Sequence, residues 1–356
     1  MKKYFKLFSC CIPVKGAKLS IICDLQRNVF QYIPNELYSI LQSDKIDLDL
    51  LFNQYNTLEE RETLKEYFDF FVKQEYGLIT HIPNQFPKID TKFEIPEYIN
   101  NAIIDISENS NHNFKKIFQE LEILGCKFLE IRFFSIINID NLYNEILVYC
   151  KNSRLRAINL YVKYYESLTS ELIFSKILSK LPTITQIIVH SSPYTKREKG
   201  VITQKILFLE DSINGANHCG NIGKEYFSIN YPTFFESIGN NSCLNKKISV
   251  DSNGEIKNCP SMLHSFGNHL TKSLTNVAKD PIFQKVWSIN KDQISVCKDC
   301  QFRYICTDCR AYLENPKDLY SKPLKCGYSP YENKWENWSE NKTKQELFKK
   351  YQMEIK

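Results

Sequence analysis

Apolar and polar positions along the chain change rhythm three times. Residues 5–30 carry two β-rich runs about a turn at Lys15-Gly16, the second at 18–24, and 27–33 reads as a third short strand. Pro34-Asn35-Glu36 opens a helix through Leu37, Ile40 and Leu41, and 47–52 gives a second helical piece. Thr57-Leu58-Glu59-Glu60 opens a third, with Leu64, Tyr67, Phe68, Phe71 and Val72 at helical spacing, and 76–79 follows as a wing. Strands followed by three helices predict a winged-helix-like unit over residues 1–80. The Pro-rich stretch 81–99 predicts a linker.

From 100 to 215 short apolar runs alternate with amphipathic ones. Strands are expected at 102–106, 128–133, 157–160, 184–190 and 205–209, and helices at 114–124, 142–151 and 170–181. This βα rhythm predicts a parallel sheet with right-handed crossovers, and its length is about half that of a full eight-fold barrel. The fold class is therefore α/β, with a degenerate partial βα barrel at its centre. Beyond 215 the periodicity fails and Cys, Gly, Asn and Pro take over. Residues 216–330 have little apolar surface to hold themselves and need staples. The tail, 331–356, has Trp335, Trp338, Leu347, Phe348 and Tyr351 at loosely helical spacing and predicts a docking helix.

Composition narrows the function classes. The chain of 356 residues is 43% hydrophobic, and its formal net charge is only +5, from 46 basic and 41 acidic residues. No basic cluster stands out, so nucleic acid is not an expected partner. No run approaches the roughly 18 apolar residues a membrane span requires, and Lys6 and Lys15 break the short N-terminal apolar stretch. A cytoplasmic protein without a membrane partner is expected.

There are 13 cysteines. Cys10, Cys11, Cys23, Cys126 and Cys150 lie scattered in apolar segments and read as small buried hydrophobes. The others crowd between Cys219 and Cys326, a density that in a reducing compartment points to metal rather than disulfides. Cys297, Cys300, Cys306 and Cys309 form C-x2-C-x5-C-x2-C, with Cys326 after a short loop and Cys219, Cys243 and Cys259 upstream. A C-x2-C pair turns two thiolates toward one centre. Asp251-Ser252-Asn253-Gly254 reads as a hairpin turn that delivers Cys259 at a strand end. Eight sulfurs divide into two sets of four, and spacing alone suits two zinc ions as well as two iron–sulfur clusters.

Residues 243–326 resemble a SPASM domain, the auxiliary-cluster module of radical S-adenosylmethionine peptide-modifying enzymes. The resemblance runs through Cys243, Gly254 with Cys259, the run Cys297, Cys300, Cys306, Cys309, and Cys326, with x2 in place of the family's x3 before Cys309. It implies two [4Fe–4S] clusters rather than zinc, one on Cys243, Cys259 and Cys309 and one on Cys297, Cys300, Cys306 and Cys326. Cys219 is the natural fourth ligand of the first. No C-x3-C-x2-C loop occurs anywhere, so no S-adenosylmethionine is expected. That combination is similar to the SPASM peptide maturases of grasp-with-spasm systems, in strings such as His218-Cys219-Gly220, Lys257-Asn258-Cys259-Pro260-Ser261-Met262 and Cys306-Thr307-Asp308-Cys309-Arg310-Ala311-Tyr312. Membership would imply maturation of a ribosomally synthesised, post-translationally modified peptide, with the precursor and an ATP-grasp ligase as partners.

Residues 1–80 could then bind the precursor's leader by strand addition, at an edge supplied by 18–24 or 27–33. No catalytic residue is assignable from sequence. His190 ends a strand where α/β folds place ligands; His218, His264 and His269 are expected in structural or surface roles. Arg303 and Arg310 lie among the thiolates, where guanidinium charge would offset a cluster's negative charge; a surface salt bridge explains them almost as well. The rival functions are a redox enzyme using an auxiliary cluster and a zinc-stapled adaptor.

Overall fold

The computed structural model describes residues 2–199 and 204–351. Four short strands open it: β1 (Tyr4–Leu7), β2 (Cys11–Val14), β3 (Ser20–Asp24) and β4 (Val29–Ile33). α1 (Asn35–Leu41), β5 (Ile46–Asp47), α2 (Leu48–Phe52), α3 (Leu58–Lys73) and β6 (Gly77–Thr80) follow. The strands pair as two antiparallel sheets, β5-β1-β6 and β2-β3-β4. The first β-rich run of the sequence thus splits near Cys10, and its halves join different sheets. α3 starts where Thr57 accepts from the Glu60 N–H while the Glu60 carboxylate accepts from the Thr57 N–H. Its Phe68 and Phe71 are buried against Phe5, at centroid distances of 4.9 and 6.0 Å.

The β2-β3-β4 sheet is covered on both faces. Cys11, Ile22 and Ile33 point to the helices. Val14, Ile21 and Cys23 alternate to the other side and pack on Ile222, Phe302, Ile305 and two cysteines of the C-terminal segment.

The larger sheet contains β7 (Asn101–Ile106), β8 (Phe128–Phe133), β9 (Ala157–Lys163), β10 (Ile184–His190), β11 (Lys196–Lys199), β12 (Lys205–Phe208), β13 (Lys247–Val250) and β14 (Ile256–Lys257). Their order is β11-β12-β10-β9-β8-β7-β13-β14; the six inner strands are parallel and the two outer ones antiparallel. α4 (Phe114–Ile123), α5 (Ile139–Glu145) and α6 (Ser170–Ile173) connect the strands. Ala102, Ile104, Leu129, Ile131, Ile158, Leu160, Ile187 and Val189 form the apolar face under these helices. The alternate positions, Asp105, Glu130, Arg132 and Tyr161, face the other way.

The protein is thus mixed α/β with a central, mainly parallel sheet. β8 and β10 span the expected residues. The expected 142–151 helix starts earlier, because Asn138 caps it by accepting from the Asp140 N–H, and it tightens to a 3-10 turn over Leu147–Cys150. α6 widens into a π-type turn over Phe174–Leu178. The sheet also continues past residue 215, since β13 pairs in parallel with β7.

After α7 (Tyr231–Gly239), α8 (Leu274–Ala278) and α9 (Pro281–Gln284) bury Leu274, Val277, Ala278 and Phe283 in the same core as the sheet. α10 (Lys342–Lys350) docks through Phe348, and its Lys344 donates to the Leu324 and Cys326 carbonyls at 2.9 and 2.7 Å. The remainder of the expected tail, 352–356, lies outside the described residues, as do 200–203 of the βα region. Among the described residues no helix is long and apolar enough to cross a membrane.

Candidate metal centre

Four of the five early cysteines, Cys11, Cys23, Cys126 and Cys150, are buried core atoms, and Cys10 is half-buried against the same core. Burial pushes the Cys126 and Cys150 thiols up to about 12 and raises Cys11 and Cys23 further. Cys10, Cys11 and Asp24 bring three ligand-type atoms within 4.8 Å. The Asp24 carboxylate is already engaged, however, accepting from the Gln26 and Arg27 N–H groups at 3.0 and 2.9 Å and from Arg27 Nε at 2.5 Å.

The C-terminal cysteines converge from separate elements. Cys297 and Cys300 sit on a 3-10 turn, with the Cys300 N–H donating to the Cys297 carbonyl at 3.0 Å. Cys306 follows a turn closed by its N–H on the Phe302 carbonyl at 2.9 Å, and Cys326 bridges in parallel to Ile222. Together Cys297, Cys300, Cys306 and Cys326 line one small cavity with Lys291 and Phe302. Burial raises the Cys297 thiol to about 12, with Cys326 and Cys306 adding to it, and raises Cys300 well above its usual range with the other three beside it.

Cys219, Cys243, Cys259 and Cys309 form the other group. Burial and then Cys243 and Cys219 push the Cys259 thiol up to about 12; burial and then Cys243 push Cys309 to about 11. Cys219 is raised by burial with Cys243 among its neighbours. Gly220, at φ +84°, lies so close that a Cβ there would stand 2.9 Å from Cys309 Sγ. The β13–β14 turn delivers Cys259. The Asp251 carboxylate accepts from the Asn253 and Glu255 N–H groups, each at 2.9 Å, and Gly254 takes φ +82°. Lys325, next to Cys326, donates to the Cys219 carbonyl at 2.7 Å and so ties the two groups together.

Among the described residues, no three of these eight sulfurs lie within 4.8 Å of one another.

Besides Lys325, cations from outside the cysteine motif reach these groups. Arg132 Nη1 donates to Cys219 Sγ at 3.0 Å, and Lys247 Nζ to Cys243 Sγ at 3.5 Å. Buried Lys291 donates to the Thr307 carbonyl at 2.8 Å beside Cys306 and Cys297. Burial works against the Lys247 and Lys291 charges, but the adjacent sulfurs outweigh it and hold both above the ordinary lysine range. Signals for two of them stand in the sequence: a lysine four residues after Cys243, and an arginine alternating with leucine and isoleucine in a core strand.

The arginines within the motif point elsewhere. Arg303 Nε donates to Asp292 at 2.7 Å, and its Nη1 to the Cys300 carbonyl at 3.0 Å. Arg310 is buried on Asp308 at 2.8 Å and on the Leu319 and Ser321 carbonyls. His190 is fully buried: its Nε2 lies 2.9 Å from the Phe133 carbonyl oxygen and its Nδ1 accepts from the Ile213 N–H, so neither nitrogen is free for a ligand. His264 packs on the edge of Phe266, and His218 closes a 3-10 turn ahead of Cys219.

At the N-terminal unit the structure separates the two candidate strand edges. β3 is the middle strand of its sheet, with β2 and β4 on either side, so 18–24 cannot accept another strand. β4 is an edge. Between it and α3 runs a groove of about 420 Å³ lined by Gln31, Tyr32, Ile33, Thr63, Glu66, Tyr67, Phe70 and Phe71.

Residues 242–301 match the family model of SPASM, an iron–sulfur cluster-binding domain. Among curated proteins no sequence matches the chain. Similar solved structures are those of SuiB from Streptococcus suis, alone and bound to precursor peptide SuiA, at 11% and 12% identity and a TM-score of 0.34 each, covering 89% of this chain and 98% of that one. SuiB bound to S-adenosylmethionine aligns with the same coverage at 11% identity and a TM-score of 0.35. A likeness at that level carries no argument about chemistry.

Proposed function

We propose that the chain is a maturation factor for a ribosomally synthesised, post-translationally modified peptide, of the grasp-with-spasm kind. It holds the precursor and presents it to an ATP-grasp ligase. The observation that carries this is the convergence of Cys297, Cys300, Cys306 and Cys326 on one cavity, beside a second group of four, in a chain whose residues 242–301 match an iron–sulfur domain. In this reading each group holds a [4Fe–4S] cluster, the first on Cys219, Cys243, Cys259 and Cys309 and the second on Cys297, Cys300, Cys306 and Cys326. Such centres supply one-electron chemistry or structural rigidity. The large sheet is read as a partial barrel whose polar face looks toward the first group.

The leader lies as a strand on β4, in the groove against α3, and residues 1–80 act as a winged-helix-like recognition unit. Backbone hydrogen bonds to β4 supply affinity, while Tyr67, Phe70 and Glu66 read its side chains.

Anaerobic purification tests the cofactor. Two four-iron clusters give brown protein with about eight irons per chain. Cys306→Ala brings that to about four. Colourless protein carrying two zincs defeats the cluster assignment.

A further inference from the structure

The central sheet places two cations directly on sulfurs of the first group. β7 and β8 are in register at Asp105 and Arg132. The Asp105 carboxylate accepts from Arg132 Nε at 2.6 Å and Nη2 at 2.7 Å, which fixes the planar guanidinium and aims Nη1 at Cys219 Sγ, 3.0 Å away, with the Glu130 carboxylate 3.7 Å from the same nitrogen. Both side chains are almost wholly buried, at 4% and 2% exposed. Lys247 opens β13, on the far side of β7, and brings Nζ to 3.5 Å from Cys243 Sγ.

The second group is served differently. Among the described residues a single cation, Lys291, reaches its sulfurs, shared between the Thr307 carbonyl at 2.8 Å and the Cys306 thiol, while Arg303 and Arg310 are bound to Asp292 and Asp308 and touch no sulfur. Positive charge and hydrogen bonds at the sulfurs favour the more negative, reduced state of an iron–sulfur centre and so raise its potential. Low dielectric strengthens the effect.

Resting on the two-cluster reading above, we infer that Arg132 and Lys247 are positioning residues that hold a cluster on Cys219, Cys243, Cys259 and Cys309 at a higher reduction potential than one on Cys297, Cys300, Cys306 and Cys326. The centre beside the polar face of the sheet is then the more easily reduced of the pair.

Full-length protein, kept anaerobic, titrated with dithionite and followed by electron paramagnetic resonance, gives two midpoints. Arg132→Gln and Lys247→Met each lower only the higher midpoint, with iron per chain unchanged. Lys247→Arg, which keeps the charge, leaves it in place, and Lys291→Met lowers only the other. Neutral variants that retain their iron with both midpoints unmoved overturn the inference and leave two clusters standing. Parent protein that carries zinc and no iron overturns the cluster reading and this inference with it. Should Arg132→Gln lose iron, the Lys247→Met and Lys247→Arg pair decides the matter.

Discussion

Phe30 on β4 meets Phe302, two residues past Cys300, edge-on with ring centroids 5.3 Å apart. Tyr32 packs on the same ring at 6.0 Å, and the Ala17 N–H donates to the Asp299 carbonyl at 2.7 Å. The N-terminal sheet is therefore one wall of the second cysteine group as well as the edge proposed for the leader. Deleting residues 1–80 should then do more than abolish peptide binding. It strips the cover from Phe302, which is 1% exposed, and from the cavity behind it. The expected product retains about half the iron of the parent, because only the second group loses its wall. Iron analysis of the anaerobically purified deletion checks this.

Phe302→Ala opens the same wall while residues 1–80 stay in place. Truncating a fully buried phenylalanine typically costs about 3–5 kcal/mol. Its neighbours Phe30, Tyr32, Phe227 and Tyr328 all lose the ring they share and keep only their contacts with one another and with Trp335. A lower Tm is expected together with faster bleaching of the visible absorbance in air. Bleaching at the parent's rate would remove the wall's shielding role.

The groove makes a separate demand. Tyr67 and Phe70 lie on α3 facing β4, and aromatic anchors in such grooves commonly carry more than 1 kcal/mol each, roughly fivefold in affinity. Tyr67→Ala and Phe70→Ala should each weaken capture of a fluorescent precursor leader by about that factor or more, with iron content unchanged. Fluorescence anisotropy measures it. Equal binding by both variants would move the leader off β4.

Much of this architecture is written in short-range pattern. Phe128-Leu129-Glu130-Ile131-Arg132-Phe133 alternates so regularly that its strand bounds follow from sequence, and the C-x2-C pairs announce thiolates turned to common centres. What pattern does not carry is register. Arg132 reads as one polar residue among apolar ones until β7 brings Asp105 opposite it and fixes where its third nitrogen points. Lys247 lies in a stretch without periodicity because β13 has only four residues, and its partner β7 is far upstream. The separation of β1 from β2 within one β-rich run is hidden for the same reason, since β1 pairs with β6 across the whole helical unit. Arg303 and Arg310, conspicuous beside the cysteines, are drawn instead to Asp292 and Asp308, whose positions only the fold determines.

That last pair is itself a prediction. Asp308 and Arg310 are buried together, and Asn241 Nδ2 donates to the second Asp308 oxygen at 2.6 Å while its own carbonyl oxygen accepts from the Cys243 and Leu244 N–H groups. The pair thus braces the turn that carries Cys243 as well as the one that carries Cys309. Removing one partner leaves a buried charge uncompensated, at a cost of about 3–5 kcal/mol. Asp308→Ala should lower Tm sharply and reduce iron at both groups, whereas Asp292→Ala, at the half-exposed partner of Arg303, should do neither to a comparable extent.

Acid should weaken the fold through histidine. His269 is almost wholly buried: its Nε2 accepts from the Asn113 N–H at 3.1 Å, which leaves Nδ1–H to donate to the Gly254 carbonyl at 3.1 Å. That arrangement needs the neutral ring, and burial holds its pKa below the ordinary 6.5, as it does for His112 and His190. The unfolded chain therefore takes up protons first on acidification. Stability is full above about 6.5 and is lost as pH falls from there through the folded-state value. Tm measured anaerobically should be flat from pH 8 to 7 and fall steadily toward pH 5.5. His269→Gln can still accept from Asn113 but does not titrate, so its Tm should start lower and decline less steeply. A variant whose slope matches the parent's would show that the titrating group lies elsewhere.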